Sequence, residues 1–206
     1  MSRAWLHRVL EIPLVYRVVQ ALVGGGAHDL DAVYDRLFGD VRGRVLDVGC
    51  GPSADTPPPE GTLVGLDVNP RYVEQYCRTD STGPQRLGVV ASADRIPFRD
   101  DAFDECRTAA VLHHLPDELL RRTFVEMHRT VRRGGRIAVF DMVWPRSFWS
   151  SPVAWLICRF DRGEWVRTDQ ALIGLARSSC DGEWESQSFS YTWLGLRGVT
   201  LVLCKR

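Results

Sequence analysis

The chain has 206 residues, of which 45% are hydrophobic and 25% charged, and its formal net charge is zero. This length and composition fit one globular domain with a well-buried core. The balanced charge gives no support for a nucleic-acid partner, because proteins that bind nucleic acids usually carry a basic surplus. The six cysteines form no CxxC pair and no metal-binding spacing. We therefore expect reduced thiols, no metal site and a cytoplasmic location.

Residues 1–40 form the first predicted unit. Apolar residues within 3–23 recur near helical spacing, with an interruption at Pro13, and a second helix is expected to end at Phe38. We interpret the unit as an N-terminal helical cap. Arginines among the apolar residues leave peripheral membrane contact open as an alternative, although no apolar run is long enough to span a bilayer.

The most distinctive stretch is residues 44–51, Arg-Val-Leu-Asp-Val-Gly-Cys-Gly. It predicts a buried strand that runs into a tight turn at Gly49 and Gly51. Two glycines at this spacing let the backbone approach a ligand that a Cβ would push away. The carboxylate of Asp47, just before the turn, suits a ligand with a positive end or free donors and does not suit a pyrophosphate.

Further strands are predicted downstream at residues 62–68, 86–91, 103–112 and 136–141, with a helix at 118–131. Apolar strands separated by helices indicate a parallel sheet covered on both faces. The last two apolar segments are joined by a turn with no helix between them, which predicts an antiparallel hairpin that closes the sheet.

Residues 142–185 interrupt this rhythm and are rich in tryptophan, with Trp144, Trp149, Trp155, Trp165 and Trp184. We interpret the segment as an insertion or lid. An aromatic-lined cleft suits a ring or a lipid-like molecule, and we expect Trp144 and Trp149 to contact it. A hydrophobic cap without ligand contacts is the alternative.

Polar residues follow the predicted strands. Asp67 ends the second strand, where an acid in a nucleotide-binding α/β fold accepts hydrogen bonds from ribose hydroxyls. Asp94 follows the third strand, where its carboxylate can accept from an exocyclic amine. His113 and His114 follow the fourth strand. Either could be a general base, because imidazole titrates near neutral pH; the alternative is that they shape the pocket and cap the next helix.

In this order and spacing, the segments resemble the class I S-adenosylmethionine-dependent methyltransferases, of the small-molecule type related to quinone C-methylating enzymes. The resemblance covers roughly residues 40–141. It implies a Rossmann-like α/β fold over residues 1–206, with a seven-stranded, mostly parallel sheet, helices on both faces and an antiparallel last strand. It also implies S-adenosylmethionine as cofactor, S-adenosylhomocysteine as product and a small-molecule methyl acceptor.

The resemblance also implies roles for individual residues. Asp47 would position the amino group of the cofactor, Asp67 would hold the ribose diol, and Ala93 and Asp94 would face the adenine. The complete expected set of cofactor-binding residues is Asp47, Gly49, Cys50, Gly51, Asp67, Val68, Ala93, Asp94, Arg95 and Ala110. Tyr16, in the N-terminal cap, is expected to contact the substrate, with packing as the alternative.

The chain departs from the family pattern after the glycine turn. Three successive prolines at 57–59 predict that the helix after this turn is very short or absent. A dinucleotide oxidoreductase needs such a helix to bind a pyrophosphate, so its loss disfavours that class. We therefore expect methyl transfer to an aromatic or lipid-like acceptor. A non-methylating S-adenosylmethionine-binding protein, a scaffold or a rearrangement catalyst, is the alternative.

Overall fold

The computed structural model describes residues 28–39, 42–52, 60–78, 86–161 and 163–206. The helices in these ranges are α1 (His28–Phe38), α2 (Pro70–Arg78), α3 (Asp117–Thr130), α4 (Pro152–Phe160) and α5 (Asp169–Ser179). The strands are β1 (Arg42–Val48), β2 (Glu60–Asp67), β3 (Arg86–Val90), β4 (Phe103–Ala109), β5 (Val131–Val143), β6 (Trp184–Ser190) and β7 (Arg197–Cys204). A 3₁₀ turn at Leu112–His114 follows β4.

All seven strands form one sheet in the order β3-β2-β1-β4-β5-β7-β6. Neighbouring strands among β1 to β5 pair in parallel, whereas β7 runs antiparallel to both β5 and β6. The predicted seven-stranded sheet with an antiparallel last strand is confirmed. The chain leaves β1 toward β3 and then returns to β4, so the carboxyl ends of β1 and β4 flank a crevice, the usual ligand position in such sheets.

The two faces of the sheet are covered by different helices. Helices α3 and α5 cover one face, where the largest cluster of buried apolar side chains includes Leu46, Phe124 and Leu172. The other face carries α2, whose Tyr76 packs with Val45 and Leu63 of the central strands. It also carries α1, where Phe38 packs on residues of β5. We call these the α3/α5 face and the α1/α2 face.

Helix α2 is absent from the sequence prediction. Asn69 begins it as the N-cap, because its side-chain Oδ1 accepts a hydrogen bond from the backbone N–H of Arg71 at 3.0 Å. Pro70 then occupies the first helical position, where it is favoured. Only Val73 and Tyr76 of the helix are buried, so it presents few apolar residues to the core. The Asn-Pro pair was the available signal.

The tryptophan-rich segment is divided between two roles. Strand β5 continues to Val143, and Leu172, Leu175 and Ala176 of α5 lie in the main core. Helix α5 is therefore a regular covering helix of the α3/α5 face. Only residues 144–167 stand outside the strand–helix rhythm, a narrower range than the predicted insertion of 142–185. We call residues 144–167 the tryptophan segment.

Most of the predicted N-terminal cap, residues 1–27, lies outside the described residues, and so do the prolines at 57–59. Helix α1, the last part of that cap, lies on the sheet, with Tyr34 and Phe38 against the residues of β5. None of the described helices combines the length and the hydrophobicity needed to cross a bilayer.

Candidate functional site

A cavity of about 210 Å³ opens at the crevice between β1 and β4. It is lined by Tyr34, Asp47, Gly49, Cys50, Gly51, Ala109, Ala110 and Val111. The cavity therefore brings together five predicted residues, since Asp47, Gly49, Cys50, Gly51 and Ala110 all belong to the expected cofactor-binding set. Tyr34 adds an aromatic ring from α1.

The glycine turn forms one wall of the cavity. Gly49 has φ +74°, and a Cβ there would lie 2.6 Å from the side chain of Val111, so a larger residue would collide with the opposite wall. Gly51 has φ +59°, yet a Cβ there would meet no atom within 4 Å. Gly49 thus allows close packing, whereas Gly51 leaves open space for a ligand.

Opposite the glycine turn, the backbone after β4 is held in an unusual conformation. Ala110 has φ +56°, which is uncommon for a residue with a Cβ. Its backbone N–H donates to the carbonyl oxygen of Phe140 on β5 at 2.9 Å. This hydrogen bond fixes the wall that faces Gly49.

The carboxylate of Asp47 lies buried at the base of the cavity. The hydroxyl of Tyr76 donates to its Oδ2 at 3.5 Å, and Nη2 of Arg107 lies 3.9 Å from the same oxygen. Arg107 is 1% exposed, and its guanidinium carbon lies 5.4 Å from the ring centre of Phe38. A buried cation beside the carboxylate offsets the cost of burying a negative charge there.

Two groups beside Asp47 have raised pKa values. Burial raises the pKa of the Tyr76 hydroxyl, and the charge of Asp47 raises it further. Burial also raises the pKa of the Cys50 thiol, as do the charges of Asp47 and Asp67. Cys50 is therefore a neutral thiol that fills the turn. It is unreactive, because the reactive form of cysteine is the thiolate.

Asp67 ties the end of β2 to the glycine turn. Its Oδ2 accepts a hydrogen bond from the backbone N–H of Gly51 at 3.2 Å, and its Oδ1 accepts from Asn69 at 2.8 Å. A carboxylate offers about four acceptor positions, so two remain for a ligand hydroxyl. Val68 beside it is 68% exposed, which leaves an apolar platform at the same edge.

Asp94 lies on the loop that follows β3. The hydroxyl of Ser92 donates to its Oδ1 at 2.5 Å, and Nε of Arg122 lies 3.6 Å from its Oδ2. The loop begins next to Asp67, whose carbonyl oxygen accepts from the backbone N–H of Ala91 at 3.1 Å. The loop residues Ala93, Asp94 and Arg95 share the edge of the sheet with Val68, although none of these four lines the 210 Å³ cavity.

His113 is buried between two carboxylates. Its Nδ1 lies 2.6 Å from Oδ1 of Asp141, and its Nε2 lies 3.5 Å from Oδ1 of Asp161. Burial alone would lower the pKa of His113, but the hydrogen bond and charge of Asp141, together with the charge of Asp161, raise it above the ordinary value. His113 thus joins β5 to the tryptophan segment, a positioning role.

Asp141 also fixes the 3₁₀ turn that carries the histidines. Its Oδ2 accepts hydrogen bonds from the backbone N–H groups of Leu112 at 2.5 Å and His113 at 3.2 Å. His114 is exposed, and its ring centre lies 4.1 Å from that of His113. Neither histidine lines the 210 Å³ cavity, although the adjacent Val111 does.

The aromatic residues predicted to contact substrate are dispersed. Trp144 is half-buried, donates from its Nε1 to the carbonyl oxygen of Val166 at 2.8 Å, and packs on Trp155. Trp149 is 89% exposed. Both lie outside the lining of the 210 Å³ cavity. Tyr16 lies outside the described residues.

Sequence reasoning missed the polar and charged residues that hold the predicted site residues in place. They are Tyr76, Glu105, Arg107, Arg136, Asp141 and Asp161. The alternating charges of β4, Glu105 and Arg107, were the available signal: on a buried strand they place two charged side chains on one face. Nε of Arg136 lies 2.5 Å from Oε2 of Glu105, so these charges form a paired layer under α1. The described residues contain no group of side chains that could hold a metal ion.

Comparisons with known proteins point to one family. Residues 46–139 match the family described as "Methyltransferase domain". An uncharacterized methyltransferase, sll0829 of Synechocystis, is 28% identical over 85% of this chain and 88% of its own length. The methyltransferase GfsG of Streptomyces halstedii is 30% identical over 61% of this chain, and the demethylmenaquinone methyltransferase of Geobacillus kaustophilus is 29% identical over 57%. This chain spans only 47% and 53% of the length of these two relatives.

Solved structures share the fold. The N-methyltransferase NodS of Bradyrhizobium japonicum, in complex with S-adenosylhomocysteine, has a TM-score of 0.65 with 16% identity, and covers 86% of each chain. The [4+2]-cyclase SpnF has a TM-score of 0.62 with 17% identity, over 85% of this chain and 80% of its own. At such identities the likeness concerns the fold.

Proposed function

We propose that this chain, which belongs to the class I S-adenosylmethionine-dependent methyltransferases, transfers a methyl group from that cofactor to a small aromatic or lipid-like acceptor. The observation that carries the proposal is the cavity at the crevice between β1 and β4. There Gly51 leaves open space, Asp47 lies at the base and the carboxylate of Asp67 stands at the rim. Two carboxylates suit a cationic ligand without phosphate groups.

The residues of the site fit this cofactor. Asp47 would accept hydrogen bonds from its amino group, Asp67 would hold its ribose hydroxyls, and Val68 and Asp94 would contact the adenine. When bound, S-adenosylmethionine supplies an electrophilic methyl group on a sulfonium. The chain would contribute alignment and exclusion of water by the walls at Gly49 and Ala110. Alignment of two reactants supplies on the order of 7–11 kcal/mol.

An aromatic or lipid-like acceptor is supported by the rings that begin at the cavity. Tyr34 lines the cavity, and its ring centre lies 5.2 Å from that of Phe140. Phe140 lies 5.8 Å from Tyr191, which packs against the cluster of Leu196 and Trp144 at the base of the tryptophan segment. Aromatic side chains thus lead from the cavity to the apolar cluster at the base of that segment. The relative from Geobacillus kaustophilus is named for a quinone precursor, which is such an acceptor.

The acceptor would react through its own nucleophilicity and would not depend on proton transfer to His113. Both ring nitrogens of His113 face carboxylates, so the imidazole is not free to take a proton from an acceptor. The prediction that His113 or His114 is a general base therefore applies best to His114, whose ring is exposed. An acceptor that is already nucleophilic needs no base, because alignment with the methyl group is enough.

A second function has one observation in its favour. None of the histidines among the described residues lines the cavity, so no imidazole there could act as a general base, which suits a protein that binds S-adenosylmethionine without methylating. Such a protein would be a scaffold or a rearrangement catalyst, and the fold it would share with the cyclase SpnF admits this. The two functions differ in turnover and agree in cofactor binding.

Two measurements on the full chain test these proposals. Calorimetry with S-adenosylmethionine and S-adenosylhomocysteine is expected to show that both bind. If neither molecule binds, both functions are refuted. Incubation with methyl-labelled cofactor and a panel of quinols, catechols and other phenols is then expected to label an aromatic acceptor. Cofactor binding without labelling of any acceptor would support the second function.

A further inference from the structure

Exposed apolar side chains on α4 and on the turn before it form a surface. It consists of Phe148, Trp149, Val153, Leu156 and Phe160, and Trp149 at its start is 89% exposed. We call these five residues the α4 surface. Exposed apolar side chains are common singly, but a contiguous group of large ones on a monomer marks an interaction site.

The spacing along α4 shows that two opposite stripes of the helix are apolar. Val153, Leu156 and Phe160 are three and four residues apart, so they lie on one stripe of the helix and face solvent. Ala154 and Cys158 lie on the opposite stripe and are buried against Leu196. One stripe therefore holds α4 to the protein. The other stripe faces solvent, so it contributes little to holding α4 against the described part of the protein.

The charge of this region is as unusual as its hydrophobicity. Residues 142–160 contain no aspartate or glutamate, although the whole chain has equal numbers of acidic and basic residues. The region carries two exposed arginines, Arg146 and Arg159, and neither forms an ion pair with a described residue. Arg159 lies on α4 three residues after Leu156, beside the apolar stripe.

We propose that the α4 surface docks on an anionic lipid membrane, with α4 lying in the plane of the interface. Large apolar side chains flanked by arginines are the features that insert a helix at the boundary of headgroups and acyl chains. Tryptophan is enriched at that boundary, because its ring is apolar and its N–H is polar. The unpaired guanidinium groups would contact the lipid phosphates.

The position of α4 connects this docking to the site. Asp161, directly after α4, faces Nε2 of His113, and the backbone N–H of Trp165 donates to the carbonyl oxygen of His113 at 3.0 Å. His113 follows Val111 of the cavity wall by two residues. Docking would therefore place the cavity near the membrane, where a lipid-like acceptor is dissolved. The proposal goes beyond the methyl transfer proposed above, and it does not require that transfer.

Vesicle binding by the full chain, without cofactor or acceptor, tests the proposal. In flotation, the protein is expected to bind phosphatidylcholine vesicles that contain phosphatidylglycerol and to bind pure phosphatidylcholine vesicles less. The double variant L156Q/F160Q is expected to lower the partition coefficient by about tenfold or more, because two large apolar side chains no longer leave water. R146Q/R159Q is expected to lower it by about fivefold for each arginine, only on the anionic vesicles.

Matched control variants are available at the opposite edge of the sheet. Leu87 and Val90 of β3 are exposed apolar residues, and L87Q/V90Q is expected to leave vesicle binding unchanged. R71Q/R99Q controls for the loss of two exposed arginines. All four variants replace exposed side chains, and thermal unfolding by circular dichroism verifies that they fold like the unsubstituted chain.

Three results would overturn the proposal. The first is absence of binding to either kind of vesicle. The second is equal binding by L156Q/F160Q and the unsubstituted chain, which would place any membrane contact elsewhere. The third is a dimer in light scattering that L156Q/F160Q converts to monomer while vesicles bind neither protein, which would assign the α4 surface to a second copy of this chain. Calorimetry with S-adenosylmethionine is independent of all three, so failure of the docking proposal is distinguishable from failure of the proposed function.

Discussion

The edge of the sheet around Asp47 and the tryptophan segment differ in how their side chains are held. At the sheet edge, each polar side chain lies at the carboxyl end of a strand or directly after it, and its position is set by parallel register. Buried charges beneath it are paired, as in Arg136 with Glu105. In the tryptophan segment, large aromatic side chains face solvent, and contacts between side chains determine the arrangement. This contrast would suit an enzyme whose cofactor lies at the sheet edge and whose acceptor contacts the aromatic segment.

His113 joins these two regions, and the first prediction separates its two partners. Replacing Asp141 by alanine leaves a buried imidazole and two backbone N–H groups without their acceptor. We expect a loss of about 3–5 kcal/mol in the free energy of unfolding, measured by urea denaturation. Replacing the more exposed Asp161 by alanine is the matched control, with an expected loss of about 0–1 kcal/mol. Equal losses would mean that the tryptophan segment holds His113 as firmly as the sheet does.

The second prediction distinguishes the two glycines of the turn. Gly49→Ala places a Cβ against Val111 at a left-handed φ, so it has both a steric and a backbone cost and is expected to lower the free energy of unfolding by about 2–5 kcal/mol. Gly51→Ala meets no protein atom, so only its left-handed backbone costs about 1–2 kcal/mol. We nevertheless expect Gly51→Ala to weaken S-adenosylhomocysteine binding by about tenfold or more, because its Cβ enters the open cavity. Unchanged affinity in calorimetry would place the cofactor elsewhere.

The third prediction concerns the rim of the cavity. Asp67→Asn removes the charge that would accept from the ribose hydroxyls, and hydrogen bonds to charged groups contribute about 1.5–3 kcal/mol. We therefore expect calorimetry to show about 10- to 100-fold weaker binding of S-adenosylhomocysteine. Asp35→Asn, on the exposed side of α1, is the control and should bind as the unsubstituted chain does. Similar affinities for both variants would remove Asp67 from the cofactor site.

The smallest predicted effect is the pH dependence of stability that His113 causes. The pKa of His113 is raised above 6.5 in the folded chain, so the folded state binds the proton more tightly than the unfolded state does. This contribution to stability is fully present below the unfolded pKa and is lost as the pH rises through the folded pKa. Urea unfolding of the unsubstituted chain and of His113→Gln, on both sides of pH 6.5, measures the difference. A difference in stability that does not change with pH would show that the pKa of His113 is the same in the folded and unfolded states.

Much of the α/β fold was predictable from the sequence, and the errors of the prediction concern single helices. Strands β1 to β5 and helix α3 have strong apolar periodicity, so their existence and order are evident from composition and spacing. Helix α2 was missed because it buries only Val73 and Tyr76. Helix α5 was missed because the tryptophans around it suggested a single irregular insertion. In both cases the available signal was a cap, Asn69 and Thr168 respectively, together with buried apolar residues three or four positions apart.

The sequence by itself determined the glycine turn, Asp47 before it and Asp67 at the end of the next strand. These are properties of short segments, since a strand, a turn and the residue that follows a strand are local in the chain. Only the tertiary structure decided that Arg107 and Tyr76 flank Asp47, that His113 lies between Asp141 and Asp161, and that the far stripe of α4 faces solvent. Those contacts join residues far apart in the chain, and no local pattern specifies which of them meet.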